Sequence, residues 1–251
     1  DVFESVLNVP GESEKVRFPE DMESVADAVD RVADDATIVP MPVEAGGRFD
    51  DEFAHWRRKH GTYWRWVRPV FGGSSKESAN ARIEFRPIAG QPTVRDTIAV
   101  QAAFAGLLEN LPRTEHPLYE LSWETARDAF YDAARNGLDA DLEWVTADGA
   151  HTTDTRELYV DLFEQAEAGL KRRGLSEEEA AKYLWPLRQR ARHAVTPAKW
   201  KVDRIREALQ DGSSFENAVY AMQYEYIRNQ RETLLSGSFA DWVGRGEELD
   251  D

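Results

Sequence analysis

The fold is decided by HGTYWRWVRPVF at residues 60–71 and by ARIEFRPIAGQPTVRDTIAVQAAFAGLL at residues 81–108. Successive side chains of a β-strand point to opposite faces, and residues 62–68 and 81–86 have this alternating pattern. The segment GGSSKES at residues 72–78 separates them and has the composition of a loop. The sequence therefore predicts an antiparallel hairpin.

A helix is predicted to follow the hairpin from about Thr93. Thr93 precedes Asp96 by three residues, which is typical of a helix N-cap with an acidic residue in the first turn. Large apolar residues recur among small alanines in this segment, which favours a buried helix: Val94, Ile98, Phe104, Leu107 and Leu108.

The second strand places charged residues on one face. Arg82, Glu84 and Arg86 share that face, while Ile83 and Phe85 lie on the other. One interpretation is a solvated strand face on which opposite charges pair laterally. The other is an anion site, in which arginine side chains hold phosphate or carboxylate oxygens and the glutamate holds Mg²⁺. Composition does not decide between them.

Three segments, in this order, resemble the glutamate–cysteine ligase and carboxylate–amine ligase family. The first is HGT at residues 60–62 with the Arg-Pro pair at residues 68–69. The second is RIEFR at residues 82–86, similar to the family's E-x-R strand, followed by GQPT and an alanine-rich helix. The third is AARNGLDA at residues 133–140. The resemblance covers residues 53–140 well and the remaining helices loosely.

This resemblance implies an ATP-dependent ligase that joins the γ-carboxylate of glutamate to an amine such as that of cysteine, in glutathione-type thiol biosynthesis. It implies ATP and Mg²⁺ as cofactors. By the same resemblance Glu84 would be a Mg²⁺ ligand, and Arg86 and Arg82 would be the catalytic contacts to phosphate. His60, Arg68 and Arg135 would contact the amino acid substrate or ATP.

The implied fold class is α+β. The family has a curved antiparallel sheet akin to that of glutamine synthetase, and here a helical C-terminal layer would pack on it. We expect a sheet-containing part at residues 1–118 and a mainly helical part at residues 119–251. Together they would form one continuous C-terminal portion of a larger catalytic domain. The chain opens on Asp1 rather than methionine, which indicates a processed or truncated product.

Local patterns predict further elements on both sides of the hairpin. Before it, we expect a helix at residues 19–34, an edge strand at residues 37–43 and a short helix at residues 49–59. After it, the pattern predicts a strand at residues 139–145 and helices at residues 118–136, 155–173, 176–194, 197–209 and 215–235. Ser176 and Glu179 have the spacing of a capping box.

Composition excludes several classes of protein. The net charge of −16 argues against nucleic acid as a partner. The chain has no cysteine, no apolar run long enough for a membrane span and no secretory signal, which fits a cytoplasmic protein. Only seven of its 31 basic residues are lysines, a bias that resembles salt-adapted proteins, although an acidic mesophilic protein is the alternative.

One departure from the family leaves a second function open. Family members carry further metal-binding carboxylates on strands before this region, whereas the acids before His60 fall on a predicted helix and in loops. The chain could therefore be a non-catalytic interaction or assembly domain of an acidic, salt-adapted protein. Its expected partners are small molecules, the N-terminal half of the same enzyme, or further copies of itself.

Overall fold

The structure, a computed structural model, describes residues 2–10, 14–38, 40–42, 44, 46–47 and 49–243. The chain divides into two compact units, an N-terminal unit (Asp1–Ala89) and a C-terminal unit (Gly90–Asp251). The division at residue 118 that the sequence suggests instead, into a sheet-containing part and a mainly helical part, stays a prediction. That the helical part packs on the sheet stays a prediction.

The N-terminal unit contains the hairpin that the sequence predicts. Its elements are α1 (Val2–Leu7), α2 (Val25–Asp34), a 3₁₀ turn (Phe49–Phe53), α3 (Ala54–Gly61), β1 (Val67–Gly72) and β2 (Asn80–Phe85). Strands β1 and β2 are antiparallel, and Arg68 lies opposite Glu84 in their register. β1 begins at Val67 and not at residue 62, because Thr62 ends helix α3 and the side chain of Arg65 is buried in an ion-pair cluster.

Two other predictions in this unit are corrected. Helix α2 begins at Val25 and not at residue 19, because the Ser24 hydroxyl caps it by accepting a hydrogen bond from the backbone N–H of Asp27 (3.1 Å). No strand forms at the described residues 37, 38 and 40–42, where prolines at positions 40 and 42 lack the N–H that a strand needs. Residues 39 and 43 of that predicted strand lie outside the described residues.

The C-terminal unit is largely helical. Its elements are α4 (Val94–Thr114), a 3₁₀ turn (Pro117–Glu120), α5 (Trp123–Asn136), a 3₁₀ turn (Gly137–Asp139), β3 (Trp144–Val145), β4 (His151–Thr152), α6 (Thr155–Arg172), α7 (Glu177–Arg192), α8 (Pro197–Gln210), α9 (Phe215–Thr233) and α10 (Ala240–Val243). The Thr93 cap and the Ser176–Glu179 capping box both form.

Helices α4, α6 and α7 pack together around Ala103, Ala166 and Leu184. Gly106 of α4 and Gly169 of α6 face each other so closely that neither position has room for a side chain. A Cβ atom on Gly106 would lie 2.1 Å from the carbonyl oxygen of Ala166, which is far inside van der Waals contact. The two helix backbones can therefore approach only because both positions are glycine.

Gly106→Ala is expected to destabilise the C-terminal unit by about 1–3 kcal/mol, because the clash with the α6 backbone exceeds the gain of ~1 kcal/mol in helix propensity. Gly61→Ala in α3 is the matched control, since a Cβ there meets nothing within 4 Å. Urea unfolding measures both variants. A Gly106→Ala variant as stable as the wild type would contradict the close crossing.

The fold class is α+β, with many helices and little strand. Within the described part of the chain the strands form two separate two-stranded antiparallel sheets, β1–β2 and β3–β4. The short β3–β4 hairpin replaces the single strand expected at residues 139–145. No described helix combines the length and apolar character needed to cross a membrane.

Candidate functional site

The face of the β1–β2 hairpin that carries Glu84 also carries three arginines. Register and alternation place Arg68, Arg82 and Glu84 on this face, and Arg86 follows with the same alternation, its backbone N–H bonded to the Trp66 carbonyl (2.9 Å). Three guanidinium groups and one carboxylate give the face a formal charge of +2. This local excess of positive charge stands out in a chain with a net charge of −16.

Arg68 is held inside the protein by its own contacts. Its Nη1 donates to the carbonyl oxygens of His60 and Tyr63, both at 2.7 Å, and its Nε donates to Glu84 Oε2 at 2.5 Å. Only 10% of its side chain is exposed. Arg68 therefore fixes Glu84 on the strand and ties it to the end of α3. In this arrangement its guanidinium is occupied by protein groups.

Glu84 is ionised and accessible. Partial burial acts to raise the pKa of Glu84, but the hydrogen bond from Arg68 and the charges of Arg68, Arg86 and Arg82 outweigh it and lower the pKa. Among the described residues Arg68 is its ion-pair partner, and Arg82 and Arg86 form no ion pair within 4.0 Å. One lateral pair of the first interpretation therefore forms, between Arg68 and Glu84, and the guanidinium groups of Arg82 and Arg86 are exposed. The anion site of the second interpretation stays a prediction.

His60 is buried below this face. Its ring stacks on Trp56 with centroids 5.0 Å apart, and its Nε2–H donates to the carbonyl oxygen of Pro69 (2.9 Å). Burial and the neighbouring Arg68 lower the pKa of His60, against the opposing effects of the Pro69 carbonyl and Glu84, so the ring is neutral at pH 7. A direct contact of His60 with substrate stays a prediction, and its observed contacts are structural.

Among its described residues, the hairpin face supplies only one candidate metal ligand, Glu84. No cluster of three or more His, Cys, Asp or Glu side chains able to hold a metal occurs in the described ranges. Mg²⁺ is commonly bound through one or two carboxylates together with substrate phosphates and water. Glu84, ionised and partly exposed, fits one such ligand.

Comparison of the sequence with models of protein families identifies the family of this chain. The sequence model of glutamate-cysteine ligase family 2 matches residues 3–226. The chain belongs to this family. No curated protein matches the chain, and no solved structure does so either. The family assignment confirms the resemblance carried by the HGT, E-x-R and AARNGLDA segments.

Arg135, which belongs to the AARNGLDA segment, lies in the C-terminal unit near the end of α5. It lines a cleft of about 480 Å³ together with five acidic residues: Glu124, Asp128, Asp132, Asp141 and Glu143. Such surroundings repel phosphate, so the charge of the cleft favours a zwitterionic ligand, whose anionic group could contact Arg135 and whose cationic group the carboxylates. Its role in binding substrate stays a prediction.

Sequence reasoning missed a buried ion-pair cluster beneath the hairpin. Arg65, 1% exposed, donates from Nε and Nη2 to both carboxylate oxygens of Glu20 (2.6–3.0 Å) and from Nη2 to Asp35 (3.2 Å). Tyr63 donates its hydroxyl to Glu20 at 2.5 Å, and Lys15 pairs with Asp35. These contacts join residues 20–45 positions apart, so no pattern among neighbouring residues predicts them.

Proposed function

We propose that this chain carries the phosphate-contacting face of an ATP-dependent ligase that joins a carboxylate to an amine. The observation that supports the proposal most directly is the exposed pair Arg82 and Arg86 on either side of an ionised Glu84. Membership of glutamate-cysteine ligase family 2 supports the reaction class. The finer assignment, glutamate γ-carboxylate as the acid and cysteine as the amine, follows the family's description.

In the proposed reaction the substrate carboxylate attacks the γ-phosphorus of ATP, the bond to the β-phosphate oxygen breaks, and ADP leaves. The amine then attacks the resulting acyl phosphate, loses a proton and displaces inorganic phosphate, which forms the amide. Arg82 and Arg86 would stabilise the negative charge on the transferred phosphoryl group. Arg68 would keep Glu84 in place.

Mg²⁺, when bound, neutralises phosphate oxygens during such a transfer, and Glu84 is its candidate ligand. The wider sheet akin to glutamine synthetase, which would complete this site, also belongs to the proposal. We also propose that the reaction takes place in the cytoplasm.

Binding of Mg·ATP tests the proposed face directly. Calorimetry on the wild type and on Arg82→Gln/Arg86→Gln should show loss of most of the affinity in the variant. The matched control, Arg113→Gln/Arg127→Gln, removes the same charge from arginines that pair with Glu109 and Asp128 elsewhere on the surface. Equal losses in both variants would mean that only net charge matters and would refute the site.

A second candidate, a non-catalytic interaction or assembly domain, is favoured by one observation. The described residues supply one candidate metal ligand on this face and no cluster of three. The two candidates differ in turnover: incubation with ATP, glutamate, cysteine and Mg²⁺, followed by mass spectrometry, detects a γ-glutamyl product only for the ligase. Absence of both product and Mg·ATP binding would favour the second candidate.

We also propose that the protein is adapted to high salt. Its net charge of −16 destabilises the compact state by self-repulsion, and salt screens this repulsion. The melting temperature is therefore expected to rise between 0.1 M KCl, where the Debye length is about 10 Å, and ~2 M KCl, where it is below ~3 Å. A flat or falling melting temperature over this range would contradict the proposal.

A further inference from the structure

A groove of about 800 Å³ lies beside α3 in the N-terminal unit. It is lined by Thr37, Ile38, Pro40, Met41, Pro42, His55, Arg58, Lys59, Gly61 and Thr62. None of the charged residues of the hairpin face is among them. Its size falls in the range of small-molecule sites, which is roughly 300–1,000 Å³.

One side of the groove is apolar and accessible. Ile38 and Met41 are 45% and 47% exposed, and two prolines flank Met41. Exposed apolar side chains are common singly, but here they share one concave surface. If the apolar part of a ligand covered these side chains, their removal from water would contribute favourable binding free energy.

The other side of the groove is basic. Arg58 contacts the Met41 sulfur through Nη2 (2.6 Å), and Lys59 donates from Nζ to the carbonyl oxygen of Ala33. Neither cation has a carboxylate partner among the described residues, in contrast to the neighbouring Arg57, which pairs with Asp50 and Asp51. The described lining contains no acidic residue.

From this combination we propose that the groove binds an organic anion whose acidic group is attached to an apolar body. The acidic group would accept hydrogen bonds from Arg58 and Lys59, and the apolar body would cover Ile38 and Met41. Charge complementarity carries the argument, because a chain with a net charge of −16 keeps a concave surface here that is basic and apolar. Acyl carboxylates have this chemistry; nucleoside monophosphates share the acidic group and offer the flat face of a base as the apolar surface.

The probe is 8-anilinonaphthalene-1-sulfonate, an amphipathic anion whose fluorescence rises when it leaves water. Arg58→Gln is expected to raise its Kd by about tenfold, because a charge-assisted hydrogen bond is lost. Arg58→Lys should restore part of the affinity. Met41→Ser should weaken binding through the apolar side. Arg57→Gln is the matched control: it removes the same charge one residue away, from a side chain that does not line the groove.

Competition identifies the ligand class. Octanoate and AMP are titrated against the bound probe, and octanol serves as the neutral counterpart of octanoate. Displacement by octanoate or by AMP, with octanol ineffective, supports the proposal and shows which anion is preferred. Displacement by octanol as strong as by octanoate, no displacement by either anion, or equal weakening in Arg57→Gln and Arg58→Gln would each overturn it. These readouts are independent of ligase activity.

Discussion

Glu84→Gln is expected to lower the rate of ATP-dependent amide formation by about a hundredfold or more, while the fold remains intact. A lost metal ligand in phosphoryl transfer removes on the order of 3 kcal/mol or more of transition-state stabilisation. The cost in folding free energy should stay at about 1 kcal/mol, because Glu84 is 38% exposed, Arg68 keeps its two backbone carbonyl acceptors, and the amide oxygen of glutamine can still accept from Arg68 Nε. Product formation and thermal unfolding are measured on the same full-length preparation.

Arg86→Lys separates phosphate geometry from net charge in the same experiment. Lysine keeps the positive charge but lacks the planar guanidinium that contacts two oxygens at once. Turnover should therefore fall, whereas Arg113→Lys at a surface ion pair should not change it. Near-normal turnover in Glu84→Gln and Arg86→Lys would show that the hairpin face is solvated surface. Unfolding of both would show that its charges are structural.

The parts of the fold that the sequence predicted correctly rest on local interactions. The hairpin follows from side-chain alternation around a loop rich in glycine and serine. The starts of α4 and α7 follow from caps that act over three residues, Thr93 with Asp96 and Ser176 with Glu179. The same alternation placed Arg82 and Glu84 on one face. The resemblance to the family predicted that this face contacts phosphate and Mg²⁺.

What the sequence did not predict depends on distant partners. Arg65 was predicted to be part of a strand, but it is buried, and its guanidinium pairs with Glu20, 45 positions earlier. β1 therefore starts later than the alternation suggested. Asp96 looked like an ordinary first-turn acid, yet it is fully buried and paired with Arg190 at 2.7 Å. Such long-range ion pairs have no signature in a window of neighbouring residues.

The contacts that occupy Arg68 were also missed, although its partners lie only 5, 8 and 16 positions away, because a backbone carbonyl acceptor leaves no mark in the pattern of side chains. The family resemblance offers Arg68, Arg82 and Arg86 alike as ligand contacts. The structure separates them by their partners: Arg68 is held by two backbone carbonyls and Glu84, whereas Arg82 and Arg86 are exposed. The residues best placed to meet phosphate are thus those whose guanidinium groups the fold leaves accessible.

Arg65→Met is expected to destabilise the N-terminal unit by about 3–5 kcal/mol, because it leaves Glu20 and Asp35 without their buried guanidinium partner. Arg17→Met is the matched control. Arg17 also pairs with Glu20, but its side chain is 38% exposed, so its loss should cost less than about 1 kcal/mol. Denaturant unfolding at constant salt, followed by tryptophan fluorescence, compares the two variants.

Acid should reproduce the effect of Arg65→Met in the wild type. Burial acts to raise the pKa of Glu20, but hydrogen bonds from Arg65, Tyr63 and Arg17 outweigh it and lower the pKa from 4.5 to about 2. A carboxyl with a lowered pKa stabilises the fold above its unfolded pKa, and this contribution, on the order of 3 kcal/mol, is lost as the pH falls from about 4.5 to about 2. Arg65→Met should lose much of this pH dependence, and Arg17→Met should largely retain it. Equal stability of Arg65→Met and wild type at pH 7, or an unchanged acid transition in Arg65→Met, would show that the cluster does not stabilise the fold.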